Sequence, residues 1–210
     1  MYRNVEENLK KWEKSVTKKP LVISGARQVG KTYSILKFAK ENYKSYLYVN
    51  FERDLDIKNF MDKTANPKEI ISYLEIAYPQ INFEEGKTLI IFDEVQACPQ
   101  ALTSIKFLGS ETKYDYIVSG SLLGIAIKHT SSYPVGYVES IEMKPMGFDE
   151  FLKAMNLKDQ VILQLKDYFE KGEPVNEMLH KKFMEYFRTY IIVGGMPEAV
   201  KCYVKTKDFM

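Results

Sequence analysis

A chain of 210 residues can bury one good core of about 150 residues and a smaller piece. Its 45% hydrophobic content is typical of a globular protein, and its net charge of +2 is too small to indicate a nucleic-acid partner by itself. No run of roughly 18 apolar residues marks a membrane span, and the charged N-terminus lacks the apolar core of a signal peptide.

The cysteines and histidines offer no metal-ligand spacing. Cys98 and Cys202 lie far apart and form no C-x-x-C pair, which suits a reducing cytoplasm. His129 and His180 are isolated, so we expect each to be a surface or packing residue. We therefore predict a cytoplasmic protein without a cysteine or histidine metal centre.

The first periodic segment predicts a helix over residues 4–14, with Val5, Leu9 and Trp12 on one face. Lysines cluster on this helix and after it, at positions 10, 11, 14, 18 and 19. Such a run is usually a solvated helix face, and contact with phosphate, nucleotide or a partner is the alternative.

A phosphate-binding loop follows. Residues 25–32 read Gly-Ala-Arg-Gln-Val-Gly-Lys-Thr, a complete G-x-x-x-x-G-K-[ST] motif between a strand predicted at 21–24 and a helix predicted at about 32–42. In this arrangement backbone N–H groups and the helix N-terminus surround an anionic phosphate. The residues expected to bind nucleotide are Gly25, Ala26, Arg27, Gln28, Val29, Gly30, Lys31, Thr32 and Tyr33.

The loop residues have separate expected roles. Lys31 would reach the β- and γ-phosphates and act in catalysis, and the Thr32 hydroxyl would bind Mg²⁺. Gly25 and Gly30 allow backbone conformations and close approaches that a Cβ would block. Arg27 would face phosphate or a carboxylate, or else solvent.

A second strand is predicted at 46–51, then a short helix or loop over 54–65. Asn66 and Pro67 start a helix whose core face would be Ile70, Ile71, Leu74 and Ala77. Residues 88–94 read Thr-Leu-Ile-Ile-Phe-Asp-Glu, an apolar run typical of a buried parallel strand that ends in two carboxylates. Pro99 opens the next helix, with Leu102, Ile105 and Leu108 inward.

The two carboxylates lie where α/β sheets bind ligands, beyond the carboxyl end of a strand. We expect Asp93 to hold the Mg²⁺ shell, directly or through water, and Glu94 to polarise the attacking water as general base. Gln96 would hydrogen-bond near the γ-phosphate or be a simple loop residue.

The fourth strand is predicted at 116–119 and ends in Ser-Gly-Ser. Ser119 would sense the γ-phosphate or orient water, or else cap the next turn, and Ser121 is the competing candidate. A short helix at 121–128 and a fifth strand at 137–143 follow. Helices are then predicted at about 148–155, 159–171, 176–193 and from 197 onward, with a domain boundary after residue 152.

The wider pattern resembles the AAA-like P-loop ATPases whose C-terminal half is the domain of unknown function DUF4143. The matching stretches are residues 20–32, 48–51, 91–96, 117–123, 133–139, 145–152 and 194–200. The resemblance implies an α/β fold with a parallel five-stranded sheet of order 5-1-4-3-2 in residues 1–152, followed by a helical segment at 153–210. It also implies ATP, with Mg²⁺, in preference to a guanine nucleotide.

The chain departs from that family in two ways. Its members look longer, which predicts that this chain stops inside or before the second domain. No arginine lies between strands four and five, where many relatives carry one, and Lys128 and Tyr137 lie there instead. An arginine finger from this segment is therefore not expected, and Arg27 or Lys128 would be the alternative cation.

Three functions remain open from the sequence. The first is an Mg²⁺-dependent ATPase that acts as a nucleotide-driven switch or motor, slow in isolation. The second is a nucleotide-binding regulatory or interaction module with negligible hydrolysis. A small-molecule kinase fits less well, because the chain has only four arginines and such enzymes clamp two phosphorylated ligands. A protein partner or self-association through the C-terminal region is left open, and nucleic-acid translocation rests on fold analogy alone.

Overall fold

The computed structural model describes residues 1–121 and 136–209. These residues form two compact units. The sheet unit is Val5–Met143, and the helical unit combines Met1–Asn4 with Lys144–Met210. The helix predicted at 121–128 lies outside the described residues.

Five parallel strands form one sheet in the sheet unit, in the order β2-β3-β4-β1-β5. This arrangement confirms the order 5-1-4-3-2 that the resemblance implied. The strands are β1 (Leu21–Ser24), β2 (Ser45–Asn50), β3 (Thr88–Asp93), β4 (Asp115–Gly120) and β5 (Glu139–Glu142).

The burial of β3 follows from its position in the middle of the sheet. All six of its residues are buried, as a strand covered on both faces requires. Edge strand β5 alternates between half-buried and exposed residues and is shorter than the predicted 137–143. The sequence pattern therefore predicts burial more clearly for β3 than for β5.

Five described α-helices cover the sheet. They are α1 (Val5–Glu13), α2 (Lys31–Asn42), α3 (Leu55–Met61), α4 (Pro67–Ala77) and α5 (Pro99–Glu111). Leu102, Ile105 and Leu108 of α5 are buried as predicted, and Ile70 and Leu74 of α4 lie in the same core cluster. The prediction that Ala77 faces the core is wrong: it ends α4 and is exposed.

The capping of α4 confirms the reading of its first residues. The Asn66 side chain accepts a hydrogen bond of 3.0 Å from the Lys68 N–H, and Pro67 occupies the first helical position. Both features satisfy or remove backbone donors that have no partner inside a helix. The start of α4 is therefore determined locally.

The helical unit contains four helices. They are α6 (Phe148–Ala154), α7 (Asp159–Lys171), α8 (Glu177–Val193) and α9 (Pro197–Thr206). Its core cluster consists of Met146, Phe151 and Val200. Because Phe151 packs there, α6 belongs with the C-terminal helices, and the main part of this compact unit begins at Lys144. The limits of the folding domains stay a prediction.

Candidate nucleotide-binding site

The loop between β1 and α2 has the backbone that the motif predicts. Gly25 has a φ of 150°, and a Cβ there would lie 2.2 Å from the Met143 carbonyl oxygen. Gly30 has a φ of 93° and precedes the first residue of α2. Glycine is therefore required at the first position by close approach and at the second by conformation.

The N-terminus of α2 directly follows the loop. No side chain caps this helix, whose first residue is Lys31. An uncapped helix N-terminus presents backbone N–H groups and a partial positive charge, which together favour an anion. The loop and the helix therefore form the local structure that a phosphate group requires.

Lys31 is held inside this loop. Its Nζ donates to the carbonyl oxygens of Gly25 at 2.9 Å and Ala26 at 2.8 Å. Burial lowers the pKa of Lys31, while the negative charges of Glu94 and Asp93 oppose that shift. The side chain is thus a positioned cation close to two carboxylates.

Thr32 and Asp93 connect the loop to the sheet. The Thr32 hydroxyl donates to Asp93 Oδ2 at 2.8 Å. Because the Thr32 hydroxyl donates its hydrogen to the carboxylate, both lone pairs of the Thr32 oxygen stay available to another ligand. The two predicted metal-binding residues are therefore adjacent in the structure.

Asp93 accepts four hydrogen bonds. Its Oδ2 also accepts from the Tyr48 hydroxyl at 2.8 Å, and its Oδ1 accepts from Ser119 Oγ at 2.5 Å and from the Glu94 N–H at 3.0 Å. The carboxylate is 2% exposed. Three adjacent strands, β2, β3 and β4, thus contribute groups to one buried carboxylate.

The Ser119 hydroxyl contacts the Asp93 carboxylate. Its side chain is fully buried, and its hydroxyl orients Asp93. The competing residue, Ser121, has a buried Oγ without a hydrogen-bond partner among the described residues. Direct contact of either hydroxyl with a nucleotide stays a prediction.

Glu94 has an unusual backbone conformation. Its φ of 53° and ψ of 43° place it in the left-handed region, which non-glycine residues rarely adopt. The Gln96 amide donates to Glu94 Oε2 at 2.5 Å. Gln96 therefore contacts the predicted base itself, a role that the sequence reading had left open.

Sequence reasoning missed the part played by Tyr48. Burial, with the nearby Asp93 charge, raises the pKa of Tyr48 to about 12, although the hydrogen bond from Asn50 opposes the shift. The phenol therefore stays protonated and donates at neutral pH. A polar side chain at the carboxyl end of β2, next to β3, was the available signal.

Four predicted nucleotide-binding residues lie at the surface. Ala26, Arg27, Gln28 and Tyr33 are exposed, Tyr33 by 61%. Lys128, the other candidate cation, lies outside the described residues. The comparison of Arg27 with Lys128 therefore stays open.

The oxygen donors at this site suit a hard divalent cation. Mg²⁺ is commonly held by one or two carboxylates or hydroxyls together with substrate phosphates. Within residues 1–121 and 136–209, no group of three or more His, Cys, Asp or Glu could hold a metal on its own. The pair of Thr32 and Asp93 therefore fits a metal that arrives with a phosphate ligand.

Fold and site together define an AAA-type P-loop ATPase. The model of a family described as an AAA domain matches residues 17–152, more than half of the chain. The chain therefore belongs to this family. In the part that the structure describes, no helix has the length and apolar character needed to cross a bilayer.

One curated protein is similar to this chain in sequence, at low identity. An uncharacterised protein of Methanocaldococcus jannaschii is 26% identical over 186 residues, which cover 88% of this chain and 37% of that protein. The chain thus spans well under half the length of this curated relative.

Two solved structures show the same fold. A Walker-type ATPase of Pyrococcus abyssi is 17% identical with a TM-score of 0.56, covering 99% of this chain and 69% of that one. AMPPCP-bound DnaA from Aquifex aeolicus is 15% identical with a TM-score of 0.52, covering 97% of this chain and 59% of that one.

Proposed function

We propose that this protein binds Mg-ATP and hydrolyses it as a nucleotide-driven switch or motor of the cytoplasm. The observation that carries the proposal is the 2.8 Å hydrogen bond between Thr32 and Asp93. It brings together the phosphate loop and the acidic strand end, the two parts that P-loop ATPases use to hold a metal against phosphates.

The contacts support a separate role for each residue in this proposal. Lys31 would supply positive charge next to the phosphates, and Thr32 and Asp93 would hold the metal. Bound Mg²⁺ would neutralise phosphate charge as the transition state develops. Glu94 directly follows Asp93 in the chain and would take the proton of the attacking water.

We propose that hydrolysis by the isolated chain is slow. No arginine occurs in residues 121–138, the segment between β4 and β5. A missing arginine finger costs roughly 10³–10⁵ in kcat. A second copy or a partner that supplies a cation would therefore stimulate turnover.

Calorimetric titration with ATP and ADP, with and without Mg²⁺, tests nucleotide binding. Phosphate release measured over a range of protein concentrations then tests hydrolysis. We expect Mg²⁺-dependent binding and a specific activity that rises with protein concentration. Absence of nucleotide binding would overturn the proposed function.

The same experiments separate the ATPase from a regulatory nucleotide-binding module. Binding without measurable phosphate release at any concentration would favour the module. Fast turnover that is independent of concentration would instead show that a cation of this chain completes the site, with Arg27 and Lys128 as the candidates.

We also propose that the helical unit takes a protein partner or a second copy. Helices α7 and α8 contain no buried residue, although both are amphipathic. Their exposed apolar side chains include Phe169 at 86% and Met178 at 83%. Sedimentation of the chain, alone and as the Phe169→Ser variant, tests self-association. We also propose that the helical unit is part of a DUF4143 domain, as the family resemblance implies.

A further inference from the structure

The Asp93 carboxylate already accepts as many hydrogen bonds as its two oxygens allow. An ionised carboxylate has about four lone-pair sites, two on each oxygen. Thr32 and Tyr48 occupy those of Oδ2, and Ser119 and the Glu94 N–H occupy those of Oδ1. A metal ligated by Asp93, directly or through a bound water, needs one of these four sites.

The contested oxygen is Oδ2. Thr32 contacts Oδ2 of Asp93, so a metal held by Thr32 Oγ1 would be next to this oxygen. Tyr48 donates to the same atom. The donors on Oδ1 do not compete for this position.

We propose that Tyr48 is an exchangeable gate on the metal site, whose hydroxyl holds Asp93 Oδ2 in the nucleotide-free protein and leaves it when Mg²⁺ binds. This inference rests on the proposed function, since it concerns the metal of that same site. Tyr48 therefore competes with the metal shell and does not assist it.

Tyr48 is the donor that can leave at the smallest cost. The Thr32 hydroxyl must stay, because its bond to Asp93 leaves the threonine oxygen available to the metal. Ser119 is fully buried, whereas Tyr48 is half-buried on edge strand β2, where water can replace its lost acceptor. The Asn50 amide already donates to the Tyr48 oxygen at 3.3 Å and can keep the ring in place.

The direction in which a Tyr48 substitution changes the Mg²⁺ requirement shows whether Tyr48 competes with the metal or supports its binding. Tyr48→Phe removes only the hydroxyl. If Tyr48 competes, the variant needs less Mg²⁺, because the metal no longer displaces a donor. A hydrogen bond to a charged group corresponds to about a tenfold change in an equilibrium constant. If Tyr48 supports Asp93, the variant needs more Mg²⁺.

The test is a Mg²⁺ titration of ADP binding, read by calorimetry, on the wild-type chain, Tyr48→Phe and the control Tyr46→Phe. Tyr46 is two residues earlier on β2 and is not among the donors to Asp93. We expect half-saturating Mg²⁺ to fall about tenfold in Tyr48→Phe and to stay unchanged in Tyr46→Phe. The metal-free ADP affinity should be equal in all three.

A second measurement uses the wild-type chain. Adding Mg²⁺ with ADP should shift the near-ultraviolet absorption of one tyrosine to shorter wavelength as its hydroxyl leaves a carboxylate, and Tyr48→Phe should lack this shift. An unchanged or higher Mg²⁺ requirement in Tyr48→Phe overturns the gate while leaving the ATPase proposal intact. A wild-type chain that binds no nucleotide overturns both.

Discussion

Thr32 Oγ1 lies 2.8 Å from Asp93 Oδ2, although 61 positions separate the two residues along the chain. The first residue belongs to the initial turn of α2 and the second ends β3. Their contact depends on the parallel strands β1 and β3, which have β4 between them, ending at the same edge of the sheet.

Lys31→Ala should abolish tight binding of Mg-ATP. The substitution removes a cation next to the phosphates, and a charge-assisted hydrogen bond contributes on the order of 2 kcal/mol or more. Calorimetry on the variant measures the loss. Lys40→Ala, an exposed lysine of the same helix, should bind like the wild-type chain. Equal affinity in Lys31→Ala would contradict the phosphate-loop assignment.

The pH dependence of ATP binding should depend on the charge of Lys31. Burial lowers the pKa of Lys31, so its positive charge is lost at a lower pH than that of a solvent-exposed lysine. ATP affinity should therefore fall in alkaline solution. The fall should be absent from the residual binding of Lys31→Ala, and an identical profile in both proteins would assign it to another group.

Glu94→Gln should leave nucleotide binding intact and slow hydrolysis by roughly 100-fold or more, because the substitution removes a base but keeps its size. The Gln96 amide can still donate to the new side chain. Phosphate release at saturating ATP measures the effect, with Glu111→Gln as an exposed control. Full activity in Glu94→Gln would mean that another group activates the water.

Asp93→Asn should weaken the Mg²⁺ dependence of binding and also lower stability. An amide offers one acceptor oxygen where four donors converge, so buried donors lose their partner. Each buried group without a partner costs about 1–3 kcal/mol. Chemical denaturation measures the loss, and Asp56→Asn on the exposed side of α3 should change little. If Asp93→Asn and Glu94→Gln behave alike in binding and turnover, the two roles are not separate.

Arg3→Ala should destabilise the helical unit by about 3–5 kcal/mol, since it leaves a buried carboxylate without its cation. Arg3 Nε lies 3.0 Å from Glu150 Oε1, and both side chains are at most 6% exposed. Denaturant unfolding measures the change, with the exposed Arg188→Ala as control. A loss below about 1 kcal/mol would place this pair with ordinary surface ion pairs.

The phosphate loop and the acidic strand were predictable because both are local patterns. A motif of eight consecutive residues fixes where the glycines, the lysine and the threonine lie relative to one strand and one helix. An unbroken apolar run likewise identifies a strand buried on both faces, which β3 confirms. The strand order needed the family resemblance, since spacing alone does not distinguish the ways of arranging parallel strands.

The network around Asp93 was decided by the tertiary structure. Tyr48 and Ser119 lie 45 and 26 positions from Asp93, on the two strands that flank β3. Which strands are neighbours is set by the packing of the whole sheet, and which side chains share a face is set by register. The sequence by itself therefore determined the chemistry that the loop and strand can carry. Only the folded sheet determined that two further hydroxyls converge on the Asp93 carboxylate, because that convergence requires three strands side by side.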